Sequence, residues 1–275
     1  MRCVECGRKL PVNFAPGVRT MQTRCARCLR KAGKLLPAGG DPLEIRGQGF
    51  AVPPLPERSR IEISTVCNAR CLCCNIPLPH RLMEWNIFEQ ALGFVRPDAR
   101  CDLYGVGEPT LHPRLRDMVG AVCGRGGKPH ISTNGILLDG EMLDTLCSAG
   151  LDLVTFSLFA SDEQLHERLQ GVPSSRAVWE NFRRVCERGL RPAVTTVLMA
   201  PNLSELPAIV ERVADYGGRW LTLLEVCVWP GSPAEQWALT RSENVEPARR
   251  WIREAYRVAA ERGVHVDRCF SASLL

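Results

Sequence analysis

The chain has 275 residues, 45% hydrophobic and 24% charged, with a formal charge of +5 at pH 7. That is a globular composition, able to bury a sizeable core, and it excludes an intrinsically disordered chain. No apolar run approaches the ~18 residues of a membrane helix, and no apolar stretch follows Met1-Arg2-Cys3, so a secretory signal is excluded on pattern and a cytoplasmic location is expected.

Fourteen cysteines stand out against that background, eight of them within the first 74 residues. Disulfides do not persist in a reducing compartment, so clustered cysteines there read as metal ligands or catalytic groups. Residues 1–34 hold Cys3-x2-Cys6 and Cys25-x2-Cys28, two knuckles at the spacing of a four-thiolate zinc ribbon. Zinc is the default metal for a closed thiolate site, and iron in a rubredoxin-like site takes the same ligands. The segment carries nine Lys or Arg against Glu5 alone, a local charge of +8, which leaves the rest of the chain at −3. Its one aromatic residue is Phe14, too few stacking surfaces for a nucleic-acid ribbon, so a structural or substrate-recognising module is expected. Residues 35–58 are rich in Pro and Gly and read as a linker.

From residue 59 to 275 short apolar strands alternate with helices. Strands are predicted at 60–65, 101–105, 129–133, 151–158, 192–199 and 220–227. Leu115, Met118, Val119 and Val122 repeat at helical spacing, as do Leu206, Ile209, Val210 and Val213. Val178, Phe182 and Val185 mark another helix, and Trp251, Ala255, Val258 and Ala259 the last long one. Pro113 is read as an N1 proline, and Asp139 and Ser204 as N-caps. Such alternation implies an α/β fold on a parallel sheet, because a parallel pair needs a crossover. Periodicity alone leaves an open doubly wound sheet and an incomplete barrel both standing.

Directly after the first predicted strand, Cys67, Cys71 and Cys74 form C-x3-C-x2-C in a polar loop with Asn68 and Arg70. Three thiolates suit an iron–sulfur cluster, leaving one iron of a 4Fe–4S cube open to a ligand. Further along come Tyr104–Pro113 (YGVGEPTLHP), Ile131–Gly135 (ISTNG), Thr155–Ala160 (TFSLFA) and Leu223–Val226 (LLEV), each at a predicted strand. In this order the segments resemble the radical S-adenosylmethionine (radical SAM) enzymes over about residues 59–267.

The resemblance implies a partial (β/α)6 barrel with its site at the C-terminal edge of the strands. It implies a 4Fe–4S cluster on Cys67, Cys71 and Cys74, and S-adenosylmethionine chelated to the open iron. Gly105, Gly107, Glu108, Pro109, Thr133, Asn134 and Ser157 would bind that cofactor, the glycines by close backbone approach, Glu108 facing the ammonium, and Thr133 and Ser157 offering hydroxyls. An electron donor of the flavodoxin or ferredoxin type is implied as a partner. Two positions depart from the family pattern: Cys73 replaces a common aromatic and rivals Cys74 as third ligand, with spacing favouring Cys74, and Phe159 stands where Asp is frequent. A second cluster of the C-terminal type is not expected. The reading is an enzyme abstracting a hydrogen atom from a peptide, a protein or a small molecule. The rival readings are a catalytically inactive scaffold and a basic zinc-ribbon binding protein. Glu225 is read as either structurally paired or in the substrate cavity; His112 and His130 are read as hydrogen-bonded local residues. Cys101, Cys123, Cys147, Cys186, Cys227 and Cys269 are read mostly as core side chains.

Overall fold

The computed structural model describes residues 55–74, 80–228 and 232–270; the four N-terminal cysteines and most of the linker lie outside them. The described residues belong to one compact unit beginning at Leu55. Its strands are β1 (Arg58–Arg60), β2 (Arg100–Asp102), β3 (Lys128–Thr133), β4 (Leu153–Ser157), β5 (Arg191–Leu198), β6 (Trp220–Glu225) and β7 (His265–Cys269). They pair in sequence order, every pair parallel. Right-handed crossovers between successive neighbours put all connecting helices on one side, and strand twist curls the sheet into a half-barrel. Among the described residues the opposite, concave face carries no helical layer of this kind.

The helices are α1 (Trp85–Leu92), α2 (Leu115–Gly124), α3 (Gly140–Ser148), α4 (Glu163–Gln170), α5 (Ser175–Glu187), α6 (Leu206–Asp215) and α7 (Ser242–Arg262). The predicted apolar stripes form their buried sides: Leu115, Met118, Val119 and Val122 on α2, Val178, Phe182 and Val185 on α5, and Leu206, Ile209, Val210 and Val213 on α6. They pack on Ile61, Ile63, Cys101, Leu103, Ile131, Val154, Phe156, Val194, Leu221 and Leu223, the outward face of the sheet. Because side chains alternate along a strand, Arg60, Asp102, His130 and Thr155 must face the concave side.

Several expectations are corrected. There are seven strands among the described residues rather than six: β7 (His-Val-Asp-Arg-Cys) is an edge strand, mostly exposed, without an apolar run to signal it. Pro113 precedes the N-cap Arg114 and so lies outside α2. Asp139 does cap α3, accepting from the Met142 N–H at 2.9 Å. Ser204 caps nothing, because the chain enters α6 through the 3-10 turn Ala200–Glu205. Buried Asn202 organises that turn: its Oδ1 accepts from Met199 N, and its Nδ2 donates to the Phe159 and Val197 carbonyls, each at 2.9 Å. Of the scattered cysteines only Cys101 is fully buried. Cys147 and Cys186 are half-buried, and Cys123, Cys227 and Cys269 are exposed, lying beyond the core-facing stripe of their elements. No helix among the described residues is long and apolar enough to cross a membrane.

Candidate active site

Four loops meet at the C-terminal edge of β1–β4. Parallel strands deliver their following loops to the same edge, so residues distant in sequence become neighbours there. Gly107 N donates to Ser64 O at 3.1 Å, and Glu108 N to Val66 O at 2.7 Å, which clamps the Gly105–Pro109 turn to the segment entering Cys67. A side chain on Gly107 would place its Cβ 2.5 Å from Ser64 O and 2.6 Å from Val66 O, so this approach requires glycine. At Gly105 the obstruction is the Glu62 side chain, whose Oε1 accepts from Val106 N at 2.6 Å.

The cysteine loop is held from the other side by α4. Arg70 N donates to Gln170 O at 3.0 Å and Leu72 N to Leu169 O at 2.9 Å. Gly171 ends α4 in the left-handed region (φ 76°), with its missing Cβ 2.3 Å from Arg70 O. Sequence reading missed Gly171. The Gly-Val-Pro punctuation marks a helix stop, but nothing local marks the contact with Arg70.

Cys67, Cys71 and Cys73 are half-buried and Cys74 is exposed. Cys73 packs, with Cys71 and Leu72, on a small apolar cluster of Phe159, Leu169, Met199, Val226 and Ala234. Phe159, at the position where the family often has Asp, therefore serves packing under the cysteine loop. Burial pushes the Cys67 and Cys71 thiols upward, and the nearby thiols push Cys71 further; burial also lifts Cys73, to about 12. Two donors point at the Cys67 sulfur: Ala69 N at 3.4 Å and Asn134 Nδ2 at 3.9 Å. This donor set fits a cationic iron–sulfur group. Neighbouring, partly desolvated thiolates ionise together only against positive charge, and N–H donors to sulfur are the usual partners of such ligands. Among the described residues no three His, Cys, Asp or Glu side chains close on a single-ion position; a cluster makes a different demand, one thiolate per iron.

Glu108 is 2% exposed. Its Oε1 accepts from Thr110 N (3.1 Å), Thr110 Oγ1 (2.6 Å) and Thr133 Oγ1 (2.7 Å), and its Oε2 from Asn134 N (2.7 Å). Burial raises its pKa while these donors pull it down. The Thr133 hydroxyl also accepts from Gly135 N at 3.0 Å. Glu108 and Thr133, expected to face S-adenosylmethionine, thus direct these polar atoms to joining the β2 and β3 loops. Pro109 is buried at the start of the 3-10 turn Pro109–Leu111. Asn134 Nδ2 reaches Asn68 Oδ1 at 2.7 Å, linking the β3 loop to the cysteine loop. Ser157 is half-buried at the end of β4. By strand alternation Glu225 shares the helix-facing side of Leu221 and Leu223.

The two histidines are both hydrogen-bonded. His112 donates from Nε2 to Met83 O at 3.0 Å and accepts Arg114 N at 3.1 Å. His130 belongs to a network on the concave face: its Nδ1 lies 2.7 Å from Asp102 Oδ1 and its Nε2 2.8 Å from Thr155 Oγ1. The fully buried Asp102 carboxylate also accepts from Arg58 Nε at 2.6 Å and Arg100 Nε at 2.7 Å. Burial alone would raise the Asp102 pKa; the bonds from His130, Arg100 and Arg58 outweigh it and hold it well below the usual carboxylate range. Asp102 therefore contributes stability above its unfolded pKa of ~4, and that stability is lost as pH falls through the lower folded value. Asp102→Asn is expected to cost about 2 kcal/mol at pH 7, since it weakens the charge-assisted bonds that the buried carboxylate makes with His130, Arg100 and Arg58. In urea unfolding the gap to wild type should narrow below pH 4; a pH-independent gap would show that charge at Asp102 carries none of it.

The family model of the Radical SAM superfamily matches residues 61–217. Among curated relatives, the tungsten-containing aldehyde ferredoxin oxidoreductase cofactor-modifying protein of Pyrococcus furiosus is 40% identical over 104 residues, 36% of this chain and 29% of its own. A probable GTP 3',8-cyclase of Sulfurisphaera tokodaii is 30% identical over 185 residues, 62% of this chain and 56% of its own. The chain therefore spans little more than half, or less, of these relatives. SuiB of Streptococcus suis, solved bound to S-adenosylmethionine, superposes with a TM-score of 0.65 at 16% identity, covering 89% of this chain and 59% of SuiB. SuiB has the same fold with its precursor peptide SuiA bound. With the family model spanning more than half of its residues, the chain belongs to the Radical SAM superfamily.

Proposed function

We propose that this chain is a radical SAM enzyme acting on a peptide or protein, with Cys67, Cys71 and Cys74 holding a 4Fe–4S cluster. The observation that carries the reading is the cysteine loop itself, docked on α4 on one side and reached by Asn134 on the other. Held on these thiolates, a cluster would supply one-electron reductive cleavage of S-adenosylmethionine and, through it, hydrogen-atom abstraction from the substrate. The chain's own residues position that chemistry. Backbone carbonyls of the Gly105–Pro109 turn receive the ammonium end. Asn134 and Ser157 offer polar atoms, while Glu108 and Thr133 fix the distance between the two loops. A one-electron donor of the flavodoxin or ferredoxin type would supply the reductant. The concave face, which no helix covers among the described residues, supports an extended substrate, as does the likeness to a fold solved with a peptide.

Cys74 is the third ligand in this reading on the C-x3-C-x2-C spacing, with Cys73 as its rival. Residues 1–34 form a zinc module through Cys3, Cys6, Cys25 and Cys28. Metal analysis after anaerobic reconstitution tests both. Cys74→Ser should lower iron several-fold and abolish the S-adenosylmethionine-dependent change in the reduced cluster's EPR spectrum, whereas Cys73→Ser should keep both. Paired Cys3→Ser and Cys6→Ser should remove one zinc and leave iron unchanged. The reverse outcome for Cys73 and Cys74 would exchange their roles.

A further inference from the structure

The concave face holds a charged cluster that the chemistry above leaves unused. Arg58, Arg60 and Arg100 converge there on Asp102 and Tyr104. Arg58 Nη2 and Arg60 Nη2 each donate to Tyr104 Oη at 3.1 Å, and the Arg60 guanidinium lies 4.7 Å from the Tyr104 ring centroid. Arg60 approaches Asp102 only to 3.8 Å. Three guanidinium groups thus share one carboxylate, and burial favours the neutral form of His130 beside them. The local charge is close to +2. The side chains of Arg58, Arg60 and Arg100 are 52%, 57% and 36% exposed, while Asp102 is 0% exposed. The anion is buried and the cations are partly exposed, Arg58 and Arg60 more than Arg100, whose Nη2 also reaches inward to His130 Nδ1 at 2.5 Å.

Such an arrangement is costly for stability alone, because one carboxylate does not balance three cations and their mutual repulsion remains. It is well suited to receive an oxyanion, since the guanidinium fork matches carboxylate and phosphate geometry. The bonds to Asp102 and Tyr104 hold the forks in place before any ligand arrives. Thr155, which closes the network, is two residues from Ser157 on β4. By the strand register Arg60 is level with Asp102, His130 and Leu153, four residues before Ser157, and Arg58 and Arg100 lie two residues further back. At about 3.3 Å per residue the backbone of the cluster lies roughly 13–20 Å below the cofactor edge. At that depth the cluster would anchor a remote end of an extended substrate.

We infer that Arg58, Arg60 and Arg100 form an anion-receiving subsite that holds a carboxylate or phosphate of the substrate on the concave face. The inference rests on the proposed enzymatic reading only in calling the ligand a substrate. Arg60 is the residue to change, because Arg58 and Arg100 also hold the buried Asp102. Calorimetric titration of the reconstituted full chain with a pentaglutamate peptide and with tripolyphosphate tests it. Wild type should bind at least one probe, and Arg60→Gln should weaken that binding about tenfold, with Arg60→Lys in between. Arg183→Gln, at an exposed position of α5 paired with Glu187, should bind as wild type does. A preference for the peptide assigns a carboxylate, and for tripolyphosphate a phosphate. Absence of binding by wild type, or equal binding by Arg60→Gln, overturns the subsite. Formation of 5′-deoxyadenosine by wild type is followed in parallel. Arg60-dependent binding without cleavage would remove the assignment to a substrate, and cleavage without such binding would overturn the subsite alone.

Discussion

Gly107→Ala is expected to destroy the site while Gly105→Ala leaves most of it intact. The added methyl at Gly107 would meet backbone, 2.5 Å from Ser64 O and 2.6 Å from Val66 O. Backbone cannot rotate away, so the β2 loop must separate from the segment leading into Cys67. That movement breaks the bonds from Gly107 N to Ser64 O and from Glu108 N to Val66 O. Two hydrogen bonds at about 1 kcal/mol each, plus overpacking of 1–3 kcal/mol, give a loss of roughly 3–5 kcal/mol. In a unit of this size that lowers the melting temperature by about 10 °C. Iron retention should fall with it, because the displaced segment carries the first cysteine. At Gly105 the methyl meets the Glu62 side chain, which can turn out to solvent at the cost of one bond to Val106 N. About 1 kcal/mol and near-normal iron are expected there. Equal melting and equal iron in the two variants would refute the clamp between the β2 loop and the cysteine loop.

The core-facing stripes of α2, α5 and α6 were readable because apolar burial imposes a period of 3.6, and β3 to β6 because they carry apolar runs, whereas β1 (Arg58–Arg60) ends where the apolar stretch 60–65, read as the first strand, begins. β7 was not readable, since an exposed edge strand needs no apolar face. Of the site, the cysteine spacing and the turn glycines were legible as chemistry that only those residue types supply. The roles of Glu108 and Thr133 were less so. A carboxylate next to a cofactor loop reads as a ligand until its partners are known, and those partners, Thr110, Thr133 and Asn134, are brought in mainly by tertiary structure. The arginines of the concave face were invisible for a related reason. Arg58, Arg60 and Arg100 sit at alternate strand positions, a pattern that also describes any solvated strand face. Only the register Arg58↔Arg100 and Arg60↔Asp102 shows that they converge.

Gly171→Ala is expected to release the cysteine loop from α4, and a matched glycine separates the two reasons why. Gly171 has φ 76°, where a non-glycine residue costs about 1–2 kcal/mol. Gly263, which ends α7 at φ 66°, should pay the same conformational cost, but nothing lies within 4 Å of its absent Cβ. At Gly171 that Cβ would stand 2.3 Å from Arg70 O and 2.8 Å from Arg70 C, both backbone atoms of the cysteine loop. Relief requires the loop to lift, which breaks the bonds from Arg70 N to Gln170 O and from Leu72 N to Leu169 O and uncovers Leu169. Gly263→Ala should therefore lose about 1–2 kcal/mol and keep its iron. Gly171→Ala should lose roughly 3–4 kcal/mol, the excess coming from the two broken bonds. Its cluster should also be lost on desalting, since Cys71 lies between the two residues released. Thermal melts and iron per chain on the two variants decide the matter. If both lose the same stability and both keep iron, α4 does not hold the cysteine loop in place. If Gly171→Ala alone sheds iron, the end of α4 is part of the cluster site although it contributes no ligand.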